Sequence, residues 1–420
     1  MKFLTQDHAA RWSHARSLLL TFLTASCLAA PAHSAEALVV SLHSIPDRIK
    51  KQNPELAAAR YRIAEAVGRL NQSGLHSNPE LGVDISHNPS FRERALNVSI
   101  AQKFPVTNRL QLEKAVSLTS LRAAQAEVRD VERRLVAESK ELLIKVLALR
   151  QQKELIKKQE TVAKQLADYI GEAAKKGEGS VLDAGQARLE AAQFANQLRQ
   201  LNAQSASLSG QLKPLLGMST TDPLVVSGDL PEIPPPARSV NPDQRPDLQA
   251  AKLNAKAAAE AAALERARSR DDIELSVSAG MERSEDAPDG YDTEATVGVG
   301  IRIPLPLWNK NEGAIQEADA RRARKTKEVT ALAHNIRHEA STAHAEMTEW
   351  IQLAREISEN LLPLAHKQAD LAVKAYREGQ GDLQATLRTR EQLLKLASAR
   401  LDALRDFHLA KTRYEAALAK

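Results

Sequence analysis

The chain has 420 residues, of which 43% are hydrophobic, 26% charged and only 3% aromatic, with a formal net charge of +5. Its single cysteine, Cys27, excludes a disulfide framework, and beyond the N-terminal region no apolar stretch approaches the roughly 20 residues of a membrane-spanning helix. Ala, Leu, Glu, Gln, Lys and Arg dominate, as in long packed helices, and the mild positive charge comes without a nucleic-acid recognition motif.

In chain order, residues 1–35 read as a secretory signal peptide. Arg11, His14 and Arg16 precede an apolar run from Ser17 to Ala30, and small residues from Pro31 to Ala37 follow. Cleavage after Ser34, Ala35 or Ala37 fits equally. The rival reading is lipidation at Cys27, but Thr24 stands where such a signal usually carries Leu. Lys2, Arg11 and Arg16 against Asp7 account for two of the five charges, so the remaining chain carries +3.

After the leader, one unit is used twice. Asn53-Pro54-Glu55-Leu56 is echoed by Arg245-Pro246-Asp247-Leu248. Gln102-Lys103-Phe104-Pro105 is echoed by Ile301-Arg302-Ile303-Pro304, and Lys176-Gly177-Glu178-Gly179-Ser180 by Glu378-Gly379-Gln380-Gly381-Asp382. The offsets are 192, 199 and 202 residues, so the order is kept with small insertions. The units span 36–214 and 245–420. The segment 215–244 between them, with Pro231, Pro234, Pro235 and Pro236, is expected to be irregular rather than helical.

Each unit begins with a predicted β-hairpin, over about 80–104 and about 272–303. Leu81, Val83 and Ile85 alternate with polar or small residues, as do Leu96, Val98 and Ile100, then Ile273, Leu275 and Val277, then Val297, Val299 and Ile301. Period two gives one apolar and one polar face. The strands Glu80–Ser86, Arg94–Phe104, Asp272–Gly280 and Glu294–Ile303 leave His87–Glu93 and Glu282–Asp292 as the connecting loops. Such segments suit a transmembrane β-barrel of strands of about 9–11 residues, or equally a half-buried sheet in a soluble domain.

Helical hairpins follow, over about 108–213 and about 309–418. From Asn108 to Lys176 there is no proline and Gly171 is the only glycine. Leu121, Ala124, Val128, Val131, Leu135 and Leu142 step by three and four, a coiled-coil seam on a helix about 100 Å long. Gly177 and Gly179 break it, and a return helix runs from Val181 to Lys213. The plan recurs from Asn309 to Glu378, with a kink expected at Pro363 and a reversal at Gly379 and Gly381. The fold class is therefore mainly α with a small β part: long coiled-coil helical hairpins and two β-hairpins, built from two repeats. Helices of that length in an enzyme have no obvious use, whereas a tunnel across a periplasm requires them. No phosphate loop, dinucleotide fingerprint or nucleophile elbow is present, so no enzyme and no cofactor is expected.

These features carry a resemblance to the TolC family of outer-membrane efflux channels, and within it to the heavy-metal-associated CzcC-like branch. The matching residues are Asn53 to Arg60, Ser77 to Leu81, Gly228 to Pro231, Arg245 to Leu248, and most specifically Ile303-Pro304-Leu305-Pro306-Leu307-Trp308-Asn309-Lys310-Asn311-Glu312-Gly313-Ala314-Ile315. The resemblance implies a homotrimer in the outer membrane, in contact with its lipid, in which four strands from each protomer close one β-barrel and the long coiled-coil helices form an α-helical barrel in the periplasm. It also implies a periplasmic adaptor and an inner-membrane pump, often of the resistance–nodulation–division type, as partners. The implied function is a passive exit duct in a tripartite efflux system, with metal cations as cargo or, alternatively, drugs or other small molecules. A periplasmic adaptor, or a non-transporting coiled-coil envelope scaffold, is the competing class; neither explains two hairpin pairs in repeat.

The resemblance places adaptor contacts at the periplasmic tips, here Gly177, Glu178, Gly179, Ser180 and Asp183 in the first and Gly379, Gln380, Gly381 and Asp382 in the second. Relatives often carry an apolar residue where Glu178 and Gln380 stand, so a more polar docking surface is expected. The second tip holds Ala385 and Arg388 where relatives narrow the entrance with acids. Asp183 would form a negative ring in a trimer or simply favour the N-terminus of its helix. His334 and His338 share a helix face and His344 follows, but without a closing ligand they read as incidental. Met218, Met281 and Met347 form no ladder, and no metal site is assigned.

Overall fold

Proline-free, glycine-poor sequence becomes long helix. The computed structural model describes residues 38–233, 242–286 and 288–418; the leader with Cys27, and Pro234 to Pro236, lie outside them. The first unit runs β1 (Leu38–Val40), α1 (Ile45–Gln52), α2 (Pro54–Gln72), β2 (Glu80–His87), β3 (Arg94–Phe104), α3 (Arg109–Lys175) and α4 (Val181–Leu215). After β4 (Leu224–Val226), the second runs α5 (Pro246–Ala267), β5 (Ile273–Asp286), β6 (Gly290–Arg302), α6 (Glu312–Glu356), α7 (Leu362–Arg377) and α8 (Leu383–Ala417). The 67 residues of α3 span about 100 Å at the α-helical rise.

Of the expected seam, Ala124, Val128, Val131, Leu135 and Leu142 are buried and Leu121 is half-buried. The main core forms where the middle of α3 meets α1, α2, the end of α4 and the β1–β4 pair. Leu143, Leu147, Ile45, Ile49, Leu56 and Leu212 are all at most 1% exposed there. The two copies of the Asn/Arg-Pro motif tie this region together differently. Asn53 accepts from the Leu56 N–H at 2.8 Å, capping α2, and donates to the Leu215 carbonyl at 2.7 Å. Its counterpart Arg245 instead pairs with Asp247 and donates to Glu339 on α6 at 2.6 Å.

Three expectations are refined. The segment between the units is not wholly irregular: Leu224-Val225-Val226 pairs in parallel with the identical tripeptide Leu38-Val39-Val40. At Pro363, where a kink is expected, the helix carries a π-helical turn over Ile357–Leu361 just before the proline. Proline removes one amide donor and crowds the preceding turn, and widening that turn relieves the clash without breaking the helix. Ser358 donates to the Ala354 carbonyl there, and Arg400 of α8 donates to Ser358 at 2.8 Å. The second β-hairpin has the expected span, but its strands run farther toward the turn. Pairing continues through Glu282↔Glu294, Arg283↔Thr293, Ser284↔Asp292, Glu285↔Tyr291 and Asp286↔Gly290, so most of the supposed Glu282–Asp292 loop is strand. Beyond Met281 these strands lose their apolar face, and the period-two signal stops while the backbone ladder does not. At the other end β6 stops at Arg302, and α6 begins at Glu312 rather than Asn309, after Asn311 in a left-handed conformation.

Pro231 and Ile233, in the segment between the units, are anchored to the α8 side of the fold. His408 is buried and its Nε2–H donates to the Pro231 carbonyl at 2.6 Å. Beside it, Phe407 packs with Met347 and Ala410, and Ile233, Trp350, Ile351 and Tyr414 lie against them. Burial pushes the His408 imidazole below its ordinary pKa, and the bond to Pro231 only partly opposes this. An imidazole kept neutral in the folded chain but charged in the unfolded one makes protons favour unfolding. The stability it supplies is present above the unfolded pKa of about 6.5 and is lost as pH falls through that value toward the lower folded pKa. Thermal unfolding of the detergent-solubilised protein from about pH 7.5 to about pH 5 should therefore show a falling midpoint. His408→Gln, whose amide donates without titrating, should flatten that fall; parallel profiles for the two proteins would refute the assignment.

Candidate functional site

The four longer strands form one antiparallel sheet in the order β2-β3-β5-β6. Their register aligns apolar side chains in unbroken rows. Leu81, Ile100, Val277 and Val299 make one, Val83, Val98, Ala279 and Val297 the next, and Ile85, Leu96, Met281 and Ala295 a third. This face is open in the single chain: Ile85, Val277 and Val299 are 74%, 58% and 78% exposed. The opposite face carries small and polar residues, with rows Gly82, Ser99, Ser278, Gly298 and Asp84, Asn97, Gly280, Thr296. It is crowded. A Cβ at Gly82 would lie 2.7 Å from the Ser99 hydroxyl, and one at Gly298 2.8 Å from that of Ser278. A sheet with bulk on one face and glycine or serine on the other is built to curl toward its small side. Both outer strands, β2 and β6, leave a backbone edge unpaired.

At the far ends of the helices, two turns with the same backbone reverse the chain. At the first, Glu178 N–H donates to the Ala173 carbonyl at 2.9 Å and Gly177 N–H to that of Ala174 at 3.1 Å. At the second, Gln380 N–H donates to Ala375 at 2.9 Å and Gly379 N–H to Tyr376 at 3.1 Å. This is the Schellman closure, and it puts Gly177 at φ 79° and Gly379 at φ 69°. Ser180 then accepts from the Asp183 N–H at 3.3 Å and Asp382 from that of Ala385 at 2.5 Å, capping the return helices. Gly179 and Gly381 lie against the helices they leave, where a Cβ would come within 3.3 Å of Ala173 and 3.2 Å of Ala375.

Glu178 and Gln380 are exposed, as a polar tip requires. The first tip is nonetheless not polar throughout, because Val181 and Leu182 are 79% and 70% exposed. The corresponding Leu383 of the second tip is buried instead. It enters a cluster with Leu166, Ala167, Ile170, Ala184 and Ala187, against which Tyr376 and Leu387 pack. The two tips are thus joined, and Gln384 donates to Gln186 across the junction at 2.6 Å.

Asp183 lies half-buried on this junction. Burial raises the Tyr376 phenol above its ordinary pKa, and the negative charge of Asp183 and then Tyr169 add to it. Farther along, burial raises Glu190 and lowers Arg390, and each is partly offset by the other's charge. Tyr376, Leu383, Gln186, Gln384, Glu190 and Arg390 leave no trace in the sequence, because lone residues on α4 and, about 200 positions on, α7 and α8 carry no local pattern. A groove of about 760 Å³ continues from the junction between α4 and α8, lined by Gln193, Phe194, Gln197 and Leu394 among others.

Compared with known proteins, the chain matches the family described as outer membrane efflux protein over residues 45–218 and 242–420. No curated protein sequence resembles it closely enough to count as a match. Among solved structures it is similar to the outer membrane protein VceC of Vibrio cholerae, with TM-score 0.72, 17% identity, and 90% of this chain and 95% of that one covered. It is similar to CusC, with TM-score 0.76, 17% identity and coverage of 90% and 91%. It is also similar to the CmeC outer membrane channel of Campylobacter jejuni, with TM-score 0.73, 14% identity and coverage of 90% and 85%. At these identities the likeness establishes the fold, a long helical barrel with a small sheet.

The left-handed glycines generate a prediction. A β-branched residue at positive φ costs about 1–3 kcal/mol, and nothing else at Gly177 or Gly379 is crowded. Gly177→Val and Gly379→Val should open the turns to proteolytic cleavage near 177 or 379 while leaving the global thermal midpoint within a degree or two of wild type, since the main core is remote. Gly177→Asn, which tolerates this conformation better, should stay close to wild type. A cleavage rate unchanged by both valines would refute the turn assignment.

Proposed function

As the chain belongs to the outer membrane efflux protein family, we propose that it is the outer-membrane exit duct of a tripartite efflux system, working as a homotrimer. The observation that carries this is the four-stranded sheet, apolar on one face and open at both edges, at one end of helices about 100 Å long. No helix of the described residues is long and apolar enough to cross a membrane. Backbone in lipid must be fully hydrogen-bonded, which for strands means a closed barrel. Three copies, with β2 of one beside β6 of the next, would close a barrel of three times four strands. The apolar rows then face lipid and the glycine–serine rows face the lumen. The hairpin ends at His87–Glu93 and around Asp286 and Gly290 would face outside, and the helices would cross the periplasm.

At the periplasmic end, Gly177, Glu178, Gly179, Ser180 and Asp183 with Gly379, Gln380, Gly381 and Asp382 form the surface offered to a periplasmic adaptor, with Val181 and Leu182 as its apolar element. The packing of Leu383, Tyr376 and Asp183 across the two tips holds the entrance narrow. Energy would come from an inner-membrane pump, likewise proposed to be of the resistance–nodulation–division type. The block Ile303 to Ile315 resembles the heavy-metal branch of the family and supports metal cations as cargo.

Two measurements test this. Val277→Arg puts a charge in the middle of the apolar face, at a cost of about 2–4 kcal/mol at a bilayer midplane. It should abolish the heat-modifiable trimer in outer-membrane fractions, whereas Asp84→Asn on the opposite face should leave it. A trimer that forms normally with Val277→Arg means that this face does not meet lipid. For the entrance, single-channel recording of Asp183→Lys in planar bilayers should show altered conductance and reduced cation preference. Unchanged selectivity and conductance would leave Asp183 as a helix-capping acid alone.

A further inference from the structure

The exposed side of α6 carries two histidines that the efflux role does not use. His334 and His338 are one turn apart, both exposed, and their Nε2 atoms are 3.2 Å apart, with ring centroids at 4.4 Å and planes at 56°. We propose that this pair is a chelating site for a late first-row divalent transition-metal ion, Cu²⁺ or Zn²⁺, one per chain. It stands independently of the cargo and of the tripartite assembly.

The geometry carries the assignment. Two imidazole nitrogens, each about 2.0–2.1 Å from one tetrahedral ion, lie about 3.3–3.4 Å apart. The observed 3.2 Å is within a few tenths of an ångström of that separation, and the rings converge through the same nitrogen rather than splaying into solvent. The spacing i, i+4 on one helix face is the one that holds two zinc ligands in helical metal sites. It is also rigid, because both ligands come from one hydrogen-bonded turn of a long helix. Asn335 stands where such metal-hydrolase helices carry a glutamate general base, so the site binds and does not hydrolyse. In the metal-free chain the same separation serves an Nε2–H···Nε2 hydrogen bond. An ion takes its place when the donating ring shifts its proton to Nδ1, a tautomer change that exposed rings make through water.

The rest of the coordination shell is water. Among the described residues no three His, Cys, Asp or Glu side chains converge, and the nearest carboxylate in sequence, Glu339, is held by Arg245 at 2.6 Å. His344 turns instead toward Tyr414, 5.5 Å between ring centroids. Two imidazoles and open positions favour Cu²⁺ over Zn²⁺ by the usual order of divalent stabilities. The ion staples one turn of α6, beside the groove where α6 faces Arg133 and Arg413, so that loading stabilises the folded chain.

The test uses the full-length protein purified in detergent and stripped with a chelator, titrated with CuCl₂ and separately with ZnCl₂. One Cu²⁺ per chain should bind, with an electron paramagnetic resonance spectrum showing two equivalent nitrogen ligands, and the thermal midpoint should rise on loading. His334→Ala and His338→Ala should each weaken Cu²⁺ affinity by more than the roughly 10–100-fold lost when only a supporting residue of a metal site is removed, and abolish the two-nitrogen signal. His344→Ala should leave both unchanged. Elution as the wild-type oligomer verifies folding of each variant. No binding by the wild type, equal binding by the His334→Ala and His338→Ala double variant, or loss on His344→Ala would each overturn the site.

Discussion

A four-stranded sheet that is apolar on one face and unpaired at both edges can be left neither in water nor in lipid. In water the exposed rows from Leu81 to Val299 would stick together, and in lipid the open edges of β2 and β6 would leave amides and carbonyls without partners. The single chain cannot resolve this alone. Its sheet has four strands, and the crowded glycine–serine face sets how tightly it curls. The closure proposed above, edge to edge with other copies, would satisfy both demands at once. It would also account for the small residues: Gly82 opposite Ser99 and Gly298 opposite Ser278 leave no room for larger side chains on that face.

Duplication supplies the other half of the design. Both units end in the same Schellman reversal, with the same glycine at positive φ and the same kind of cap. What differs is the outward residue of the return helix. Val181 and Leu182 remain in solvent in the first unit, while Leu383 is drawn inward in the second. A shared backbone carrying different side chains leaves one tip with an exposed apolar surface while the other locks against its neighbour. The same divergence appears at the start of each unit, where Asn53 caps its own helix but Arg245 reaches to Glu339.

What could be seen in the sequence was whatever repeats locally. The coiled-coil steps of α3, the glycine pairs at the tips and the alternation of Leu81, Val83 and Ile85 each state their structure within a dozen residues. Leu38–Val40 and Leu224–Val226 do not, because three residues are too few to show a period, and their pairing depends on a partner 186 positions away. The strands beyond Met281 were hidden for a different reason. Charged residues on both faces erase the amphipathic signal, while cross-strand pairing and the Arg283 guanidinium over the Tyr291 ring sustain the ladder. The tip junction was hidden most deeply, since Tyr376 and Asp183 become neighbours only when two hairpins pack side by side.

The distribution of buried apolar groups then decides where such a molecule moves. The main core gathers Ile, Leu and Val side chains from α1, α2, α3 and α4 together with the β1–β4 pair, many of them at or near zero exposure. The tip cluster holds Leu166, Ile170 and Leu383, and its other buried members are alanines. Burial of a full Leu or Ile side chain contributes about 1.5–3 kcal/mol, and an alanine contributes a fraction of that. Separating the tips therefore gives up a few such contributions, the Gln384–Gln186 bond and the contact around Tyr376. Disturbing the middle of α3 would dismantle the whole core. Local opening follows the least buried apolar surface, so the fold concentrates its resistance at mid-length and leaves the far ends of the hairpins as the place where a small binding energy can shift the structure.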